Sequence, residues 1–303
     1  MREHRRAIDT GRIFFQLRGI FDYRKSHHFD DLLRKSVATL CSKGKYDPEV
    51  GDIVQYMKPT IRKRINKEID DYNRHKSYLR FYWSVEDEDI LIGSACPLPT
   101  DDEAELKEKV ILGNAFLLES ILTELEPDMF EVLCKQILKE LGCQFTGKTR
   151  TTADGGVDFF GTMTLHEVEG NPFAKKIELI HNAKVHFIGQ AKRYALTRAI
   201  EPQHIREFLG SALLLEYTQA WNLQKELAIG NLPPKYLMPK DPVIWLFFST
   251  SFATINARNL ANYLGMYFQD GEDISRWLAL NPLSKCNQDK NELFFELTKW
   301  LSS

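Results

Sequence analysis

Two short segments carry residue types that chemistry could use. The first is Asp154-Gly155-Gly156-Val157-Asp158. Paired glycines permit backbone angles closed to other residues, so the chain can turn sharply into a strand. Asp158 then stands at the start of that strand, where its carboxylate can project past a sheet into a cleft. The second is Gln190-Ala191-Lys192, ending a strand predicted over 185–192. Alternation puts Gln190 and Lys192 on one face with Ile188, and Ala191 on the other, where its small size suits a packed helix. An amide and an ammonium on an otherwise apolar face are costly unless partnered. Each segment taken singly also has a plainer account. Asp-Gly-Gly is a common loop, and the strand can simply emerge into solvent at Gln190.

The elements that would position these residues alternate between helix and strand. Glu126-Pro127 opens a helix with Phe130, Leu133, Ile137, Leu138 and Leu141 on one face, and Gly142 stops it. Strands are predicted over 143–146, 157–165, 185–192 and 243–249, and helices from Glu201-Pro202 to about Leu215 and over 254–264. Tyr267 and Phe268 form a last short strand, with Gly271 in the following turn. This alternation implies an α/β sheet with helices on its faces.

Upstream, residues 29–43 read as a helix, and Asp47-Pro48 opens a short one to about Met57. Pro59-Thr60 opens a third, with Ile61, Ile65 and Ile69 on its apolar face and Arg62, Lys63, Arg64 and Lys67 elsewhere. Leu79, Phe81 and Trp83 alternate as in a strand. Glu86-Asp87-Glu88-Asp89 then turns the chain into a second strand at 90–92. Three helices and a hairpin is the order of a winged helix, whose basic third helix would read DNA. A small helical domain with a solvated charged face fits equally, and an acidic hairpin tip would repel phosphates. Pro97, Pro99, Asp101 and Asp102 mark a linker, and an acidic helix follows over 103–125. The expected organisation is an N-terminal DNA- or partner-binding domain (1–93), an acidic linker and helix (94–125), a catalytic domain (126–280) and a helical tail (281–303).

Composition excludes several classes. With 43% hydrophobic and 27% charged residues in 303, the chain is an ordinary globular protein, not a disordered or membrane-bundle one. Its net charge of −2 argues against coating nucleic acid by charge alone. That average conceals a net of +8 over residues 1–83, −12 over 84–131 and +2 over 132–303. A basic front of this kind suits an acidic partner. Five cysteines without a Cys-x-x-Cys pair read as buried free thiols in a reducing compartment. The longest apolar run, Val243 to Phe248, is far too short to span a bilayer, and no signal core follows the basic Met1–Arg6. A cytoplasmic protein without a membrane role is expected. No Gly-x-x-x-x-Gly-Lys loop is present, so ATP-driven translocation is not encoded.

The ordered set of motifs resembles a known family. It comprises Phe130-Glu131 on an apolar helix, Asp-Gly-Gly-Val-Asp at 154–158 and Gln-Ala-Lys-Arg-Tyr at 190–194. Downstream come His204 to Gly210 on a helix, Phe248-Ser249-Thr250-Ser251-Phe252, and Gly271-Glu272-Asp273 before Ile274 to Leu278. Over about residues 126–280 this resembles the Mrr-like branch of the PD-(D/E)XK nuclease superfamily. The resemblance implies a restriction-endonuclease-like mixed α/β sheet flanked by helices, joined to a mainly helical, winged-helix-like N-terminal domain. It implies that Asp158 is the principal metal carboxylate. Gln190 would ligate through its amide oxygen, with the backbone carbonyl of Ala191. Lys192 would position or deprotonate the attacking water and stabilise developing charge. Glu131 would make a further metal or water contact.

The implied cofactor is Mg²⁺, with Mn²⁺ as substitute, and the implied activity is type IV-like restriction of foreign DNA in antiphage defence. The superfamily's proline is absent before Asp158, and Gln190 removes one negative charge, which predicts weaker metal binding. DNA is the expected partner, in a homo-oligomer and with a partner defence protein to be considered. RNA or a DNA junction is a further substrate class for this fold. The rival reading is an assembly or DNA-binding subunit with a nuclease fold, inactive alone and working with a motor ATPase.

Weaker candidates complete the reading. Arg193, Tyr194, Arg206, Arg62 and Arg64 could contact DNA. Asp154 suits a turn cap better than a ligand. His27-His28 and the His181/His186 pair lack convincing zinc spacing. The insert 167–182 has no assigned role.

Overall fold

The computed structural model describes residues 10–75, 79–148, 156–164, 184–195, 198–220 and 241–303. Asp154, His181 and the insert 167–182 lie outside the described residues. Two compact units are present, residues 1–114 and 115–303.

The first unit contains α1 (Thr10–Ile20), β1 (Ser26–His28), α2 (Phe29–Cys41), α3 (Pro48–His75), β2 (Phe81–Trp83) and β3 (Ile90–Gly93). Its three strands form an antiparallel sheet in the order β1-β3-β2. Helix, strand, helix, helix, strand, strand is the winged-helix order. The sequence reading lacked α1 and β1. β1 is only Ser-His-His, which has no strand signal of its own and extends because it pairs with β3.

A second correction concerns Pro59, which opens no new helix but lies inside one continuous α3. The buried stripe Val50, Val54, Ile61, Ile65 runs through it, while Pro59 itself faces solvent. Its missing N–H therefore falls where water can serve, and packing of the stripe outweighs the proline cost.

The second unit takes in the C-terminal part of α4 (Glu103–Glu124), which crosses the boundary. There follow α5 (Pro127–Glu140), β4 (Phe145–Lys148), β5 (Phe159–Thr164), β6 (Lys184–Lys192), α6 (Pro202–Ala220) and β7 (Val243–Ser249). The last elements are α7 (Ile255–Tyr263), β8 (Tyr267–Gln269), α8 (Gly271–Leu280) and α9 (Lys290–Leu301). The sheet order is β4-β5-β6-β7-β8. β5 runs antiparallel to both its neighbours β4 and β6, whereas β6, β7 and β8 run parallel. On one face, Val157, Phe160, Ile188 and Phe247 pack with Phe208 of α6 and Ala257 and Ala261 of α7. On the other, α5 packs over β4 and β5, with α9 against α5. Fully burying a ring such as Phe159 or Phe208 stabilises by roughly 1.5–3 kcal/mol.

Two boundaries moved. The strand expected over 143–146 begins at Phe145, because Gly142 (φ 96°) ends the preceding turn and Cys143 is buried there instead. Gly271 is the first residue of α8, not a turn residue. The Asp270 side chain caps that helix by accepting from Glu272 N–H and Asp273 N–H, both at 3.1 Å. A Cβ on Gly271 would overlap the carbonyl of Thr250, so the helix start depends on glycine.

Candidate active site

The site forms where β5 and β6 come apart. Phe160 pairs with Ile188 and Phe159 with Gly189, so one further step of the register sets Asp158 opposite Gln190. Asp158 N–H donates to the carbonyl of Gly189 at 2.8 Å. Its Oδ2 accepts from Ala191 N–H at 2.7 Å. A side-chain carboxylate thus satisfies a backbone donor at the edge of the ladder, which fixes Asp158 against the Gln-Ala-Lys segment.

Gln190 is 5% exposed and donates through Nε2 to the carbonyl of Gly156 at 2.9 Å. A carbonyl can only accept, so the amide must present its NH₂ to Gly156 and turn Oε1 elsewhere. Among the described residues that oxygen has no hydrogen-bond partner. Gly156 has φ +85°, an angle that favours glycine. A Cβ there would stand 2.8 Å from Ser211 Oγ and 3.3 Å from Gln190 Nε2.

Lys192 pairs in register with Ser249 of β7, and its carbonyl accepts from Thr250 N–H at 3.1 Å. Its ammonium has no hydrogen-bond or ion-pair partner among the described residues. Ser249, Thr250 and Ser251 are all fully buried beside it. Thr250 braces the backbone after Lys192. Its Oγ1 accepts from Tyr194 N–H at 2.9 Å and donates to the Tyr194 carbonyl at 2.7 Å. Sequence reasoning quoted this Ser-Thr-Ser run without giving it a role. Three hydroxyls directly after an apolar strand were the available signal.

Glu131 reaches the same region from α5. The buried Cys134 thiol, one turn along, is pushed well above its usual range by burial and by the Asp158 and Glu131 carboxylates. Both carboxylates therefore bear on one point. Glu131 also accepts from Lys148 Nζ at 3.4 Å.

The other candidates lie against protein. Arg193 donates through Nη1 to the carbonyl of Thr123 at 2.9 Å, in the last turn of α4. The Tyr194 ring packs on the α6–α7 core, with the Arg198 guanidinium 4.0 Å from its centroid. Arg206 is exposed on α6. In the first unit, Arg62 donates to the carbonyl of Glu88, lies 3.4 Å from Asp89 Oδ1 and covers the Trp83 ring at 4.5 Å. Lys58 pairs with Asp30 at 2.6 Å and Asp89 at 3.4 Å, so α3 neutralises part of the acidic hairpin tip. Arg64 is exposed, with its guanidinium 4.7 Å from the Phe14 centroid.

His27 and His28 lie in β1, and His186 bonds Thr162 Oγ1 (3.1 Å) and Asp241 (2.9 Å). Among the described residues no three His, Cys, Asp or Glu side chains form a metal cluster. The donors at the site are instead a carboxylate, an amide oxygen and a backbone carbonyl. Hard oxygen donors of this kind suit Mg²⁺ or Mn²⁺, which keep most of their waters. The site residues fit such an ion.

Residues 122–222 match the family model of the Mrr catalytic domain, described as restriction endonuclease. No curated protein matches the chain. Among solved structures, the chain is similar to the MspJI restriction endonuclease in complex with a 27-mer oligonucleotide. That likeness has 13% identity and a TM-score of 0.39, over 67% of this chain and 40% of that one. It is also similar to the DNA modification-dependent restriction endonuclease AspBHI, with 14% identity and a TM-score of 0.38, over 68% of this chain and 44% of that one. The chain thus spans less than half the length of either protein. Among the described residues no helix is long and apolar enough to cross a membrane.

Proposed function

We propose that this chain, whose residues 122–222 match the family model of the Mrr catalytic domain, is a metal-dependent endonuclease that hydrolyses DNA phosphodiester bonds to restrict foreign DNA. The observation that carries the reading is the junction of Asp158 with the Gln190-Ala191-Lys192 segment through the 2.7 Å bond to Ala191 N–H. Asp158, the Gln190 amide oxygen and the Ala191 carbonyl would hold Mg²⁺ or Mn²⁺. When bound, such an ion acts as a Lewis acid and lowers the pKa of its water. The chain's own residues do the rest. Lys192, whose ammonium has no partner among the described residues, orients the attacking water and balances the negative charge that develops on the phosphate oxygens. Glu131 holds a water on the α5 side. Thr250, bonded to both backbone groups of Tyr194, keeps the segment after Lys192 from shifting.

The winged-helix unit supplies a second DNA contact through the exposed face of α3, with Lys63 and Lys67. Cutting both strands in one event takes two such sites, so a homo-oligomer is the expected active species. The test is plasmid cleavage in Mg²⁺ by the wild type and by Asp158→Ala and Lys192→Ala. Cleavage lost in both variants supports the reading. Cleavage unchanged in both overturns it. A wild type that binds DNA but neither cuts nor binds Mn²⁺ favours the assembly-subunit reading.

A further inference from the structure

Read from sequence, Gln190 removes one negative charge from the metal site. The geometry points to a different assignment: the Gly156 carbonyl selects an amide at 190, and this catalytic centre is built to work with Gln and to reject Glu. The inference rests on the functional reading above. Its carrier is the 2.9 Å bond from Gln190 Nε2 to Gly156 O, made by a side chain only 5% exposed.

That bond does two things. It fixes which end of the amide is oxygen, so that Oε1 is the end left for a cation or a water. It also satisfies a carbonyl that has little freedom to turn away. Gly156 is held at φ +85°, its Cα lies against Ser211 of α6, and Ser211 itself donates to the Glu207 carbonyl at 3.2 Å. An ionised carboxylate in the place of the amide would set oxygen against oxygen in a buried position. No donor would remain for Gly156 O, and a buried carbonyl without a partner is costly. Gly156 is thus a positioning residue that acts through Gln190.

The discriminating variant is Gln190→Glu, studied by Mn²⁺ titration calorimetry and plasmid cleavage, with wild type and Asp158→Ala alongside. The variant should bind Mn²⁺ about 10–100-fold more weakly than wild type, the range for loss of a group that orients a ligand. Mn²⁺ binding as tight as wild type or tighter overturns the assignment. If Asp158→Ala still cleaves, the functional reading has failed instead, and the two failures are distinguishable. Should Gln190→Glu not fold, the wild type carries the test through ¹⁵N NMR of the Gln190 side-chain amide, assigned by its loss in Gln190→Met. One amide proton should be protected from exchange well beyond that of an exposed glutamine. Exchange as fast as in an exposed amide overturns the lock.

Discussion

Arg193 follows Lys192 directly and reads from sequence as a DNA contact, yet its guanidinium donates to Thr123 O at 2.9 Å. The sequence explains why that carbonyl needs it. Four residues beyond Thr123 stands Pro127, which has no N–H to complete the helical bond. Arg193 supplies the missing donor and sets a positive charge at the negative end of α4. Arg193→Met keeps most of the stem and removes the donor. A hydrogen bond from a charged donor is worth about 1.5–3 kcal/mol. Part of that is offset, since Arg193 Nε is itself buried without a partner and its cost disappears with it. A net loss of about 1–2 kcal/mol is expected.

For a unit the size of residues 115–303 this lowers Tm by roughly 2–8 °C. The assay pairs thermal unfolding with DNA binding at several salt concentrations, in an Asp158→Ala background to prevent cutting. The salt slope should be unchanged. The reasoning is refuted if Tm stays at the wild-type value while the slope falls by about 0.9, the signature of one lost phosphate contact.

Three further outcomes follow from the geometry. Gly189→Ala should destabilise by about 1–3 kcal/mol in urea unfolding, because a Cβ there would overlap the buried Phe159 ring. A variant as stable as wild type would mean that the ring moves freely. Asp270 has its carboxyl pushed up to about 6 by burial and by Asp273, against the opposing pull of Arg258. Its folded value lies above the ordinary one, so the cost of the buried charge is full above pH 6 and disappears below about 3.8. Stability from this group should rise by on the order of 3 kcal/mol as pH falls through that window, and Asp270→Asn should flatten the dependence. An unaltered pH profile in that variant would contradict it. Asp89→Asn removes one carboxylate from beside Lys58 and Arg62, which keep Asp30 and the Glu88 carbonyl, at a cost below about 1 kcal/mol. DNA binding at low salt should strengthen, and unchanged binding would locate the DNA surface away from the hairpin tip.

The second unit was legible because its signals are local and strong. Val243 to Ser249 is a continuous apolar strand, and the polar Gln-x-Lys pair stands out from its apolar surroundings. Asp158 and Gln190 lie 32 positions apart in the chain yet meet through strand register, which alternation and the family resemblance together anticipated. What escaped was information that belongs to pairs. β1 exists only because β3 is beside it, and Pro59 was overruled by a buried stripe running past it. Arg193 has the composition of a phosphate contact and the geometry of a helix cap, and only the position of Thr123 tells them apart. The Gly156 carbonyl has no side chain to announce it at all.

The central claim is that Asp158, Gln190 and Ala191 hold a cation at the phosphate that Lys192 faces. The most direct measurement is an anomalous-scattering map of crystals grown with Mn²⁺ and a cleavage-resistant phosphorothioate duplex. The account predicts a peak ligated by the Asp158 carboxylate, Gln190 Oε1 and the Ala191 carbonyl, with a phosphate oxygen completing the shell and Lys192 Nζ within reach of it. A duplex bound with its phosphates away from these residues, or Mn²⁺ bound by other side chains, would contradict it.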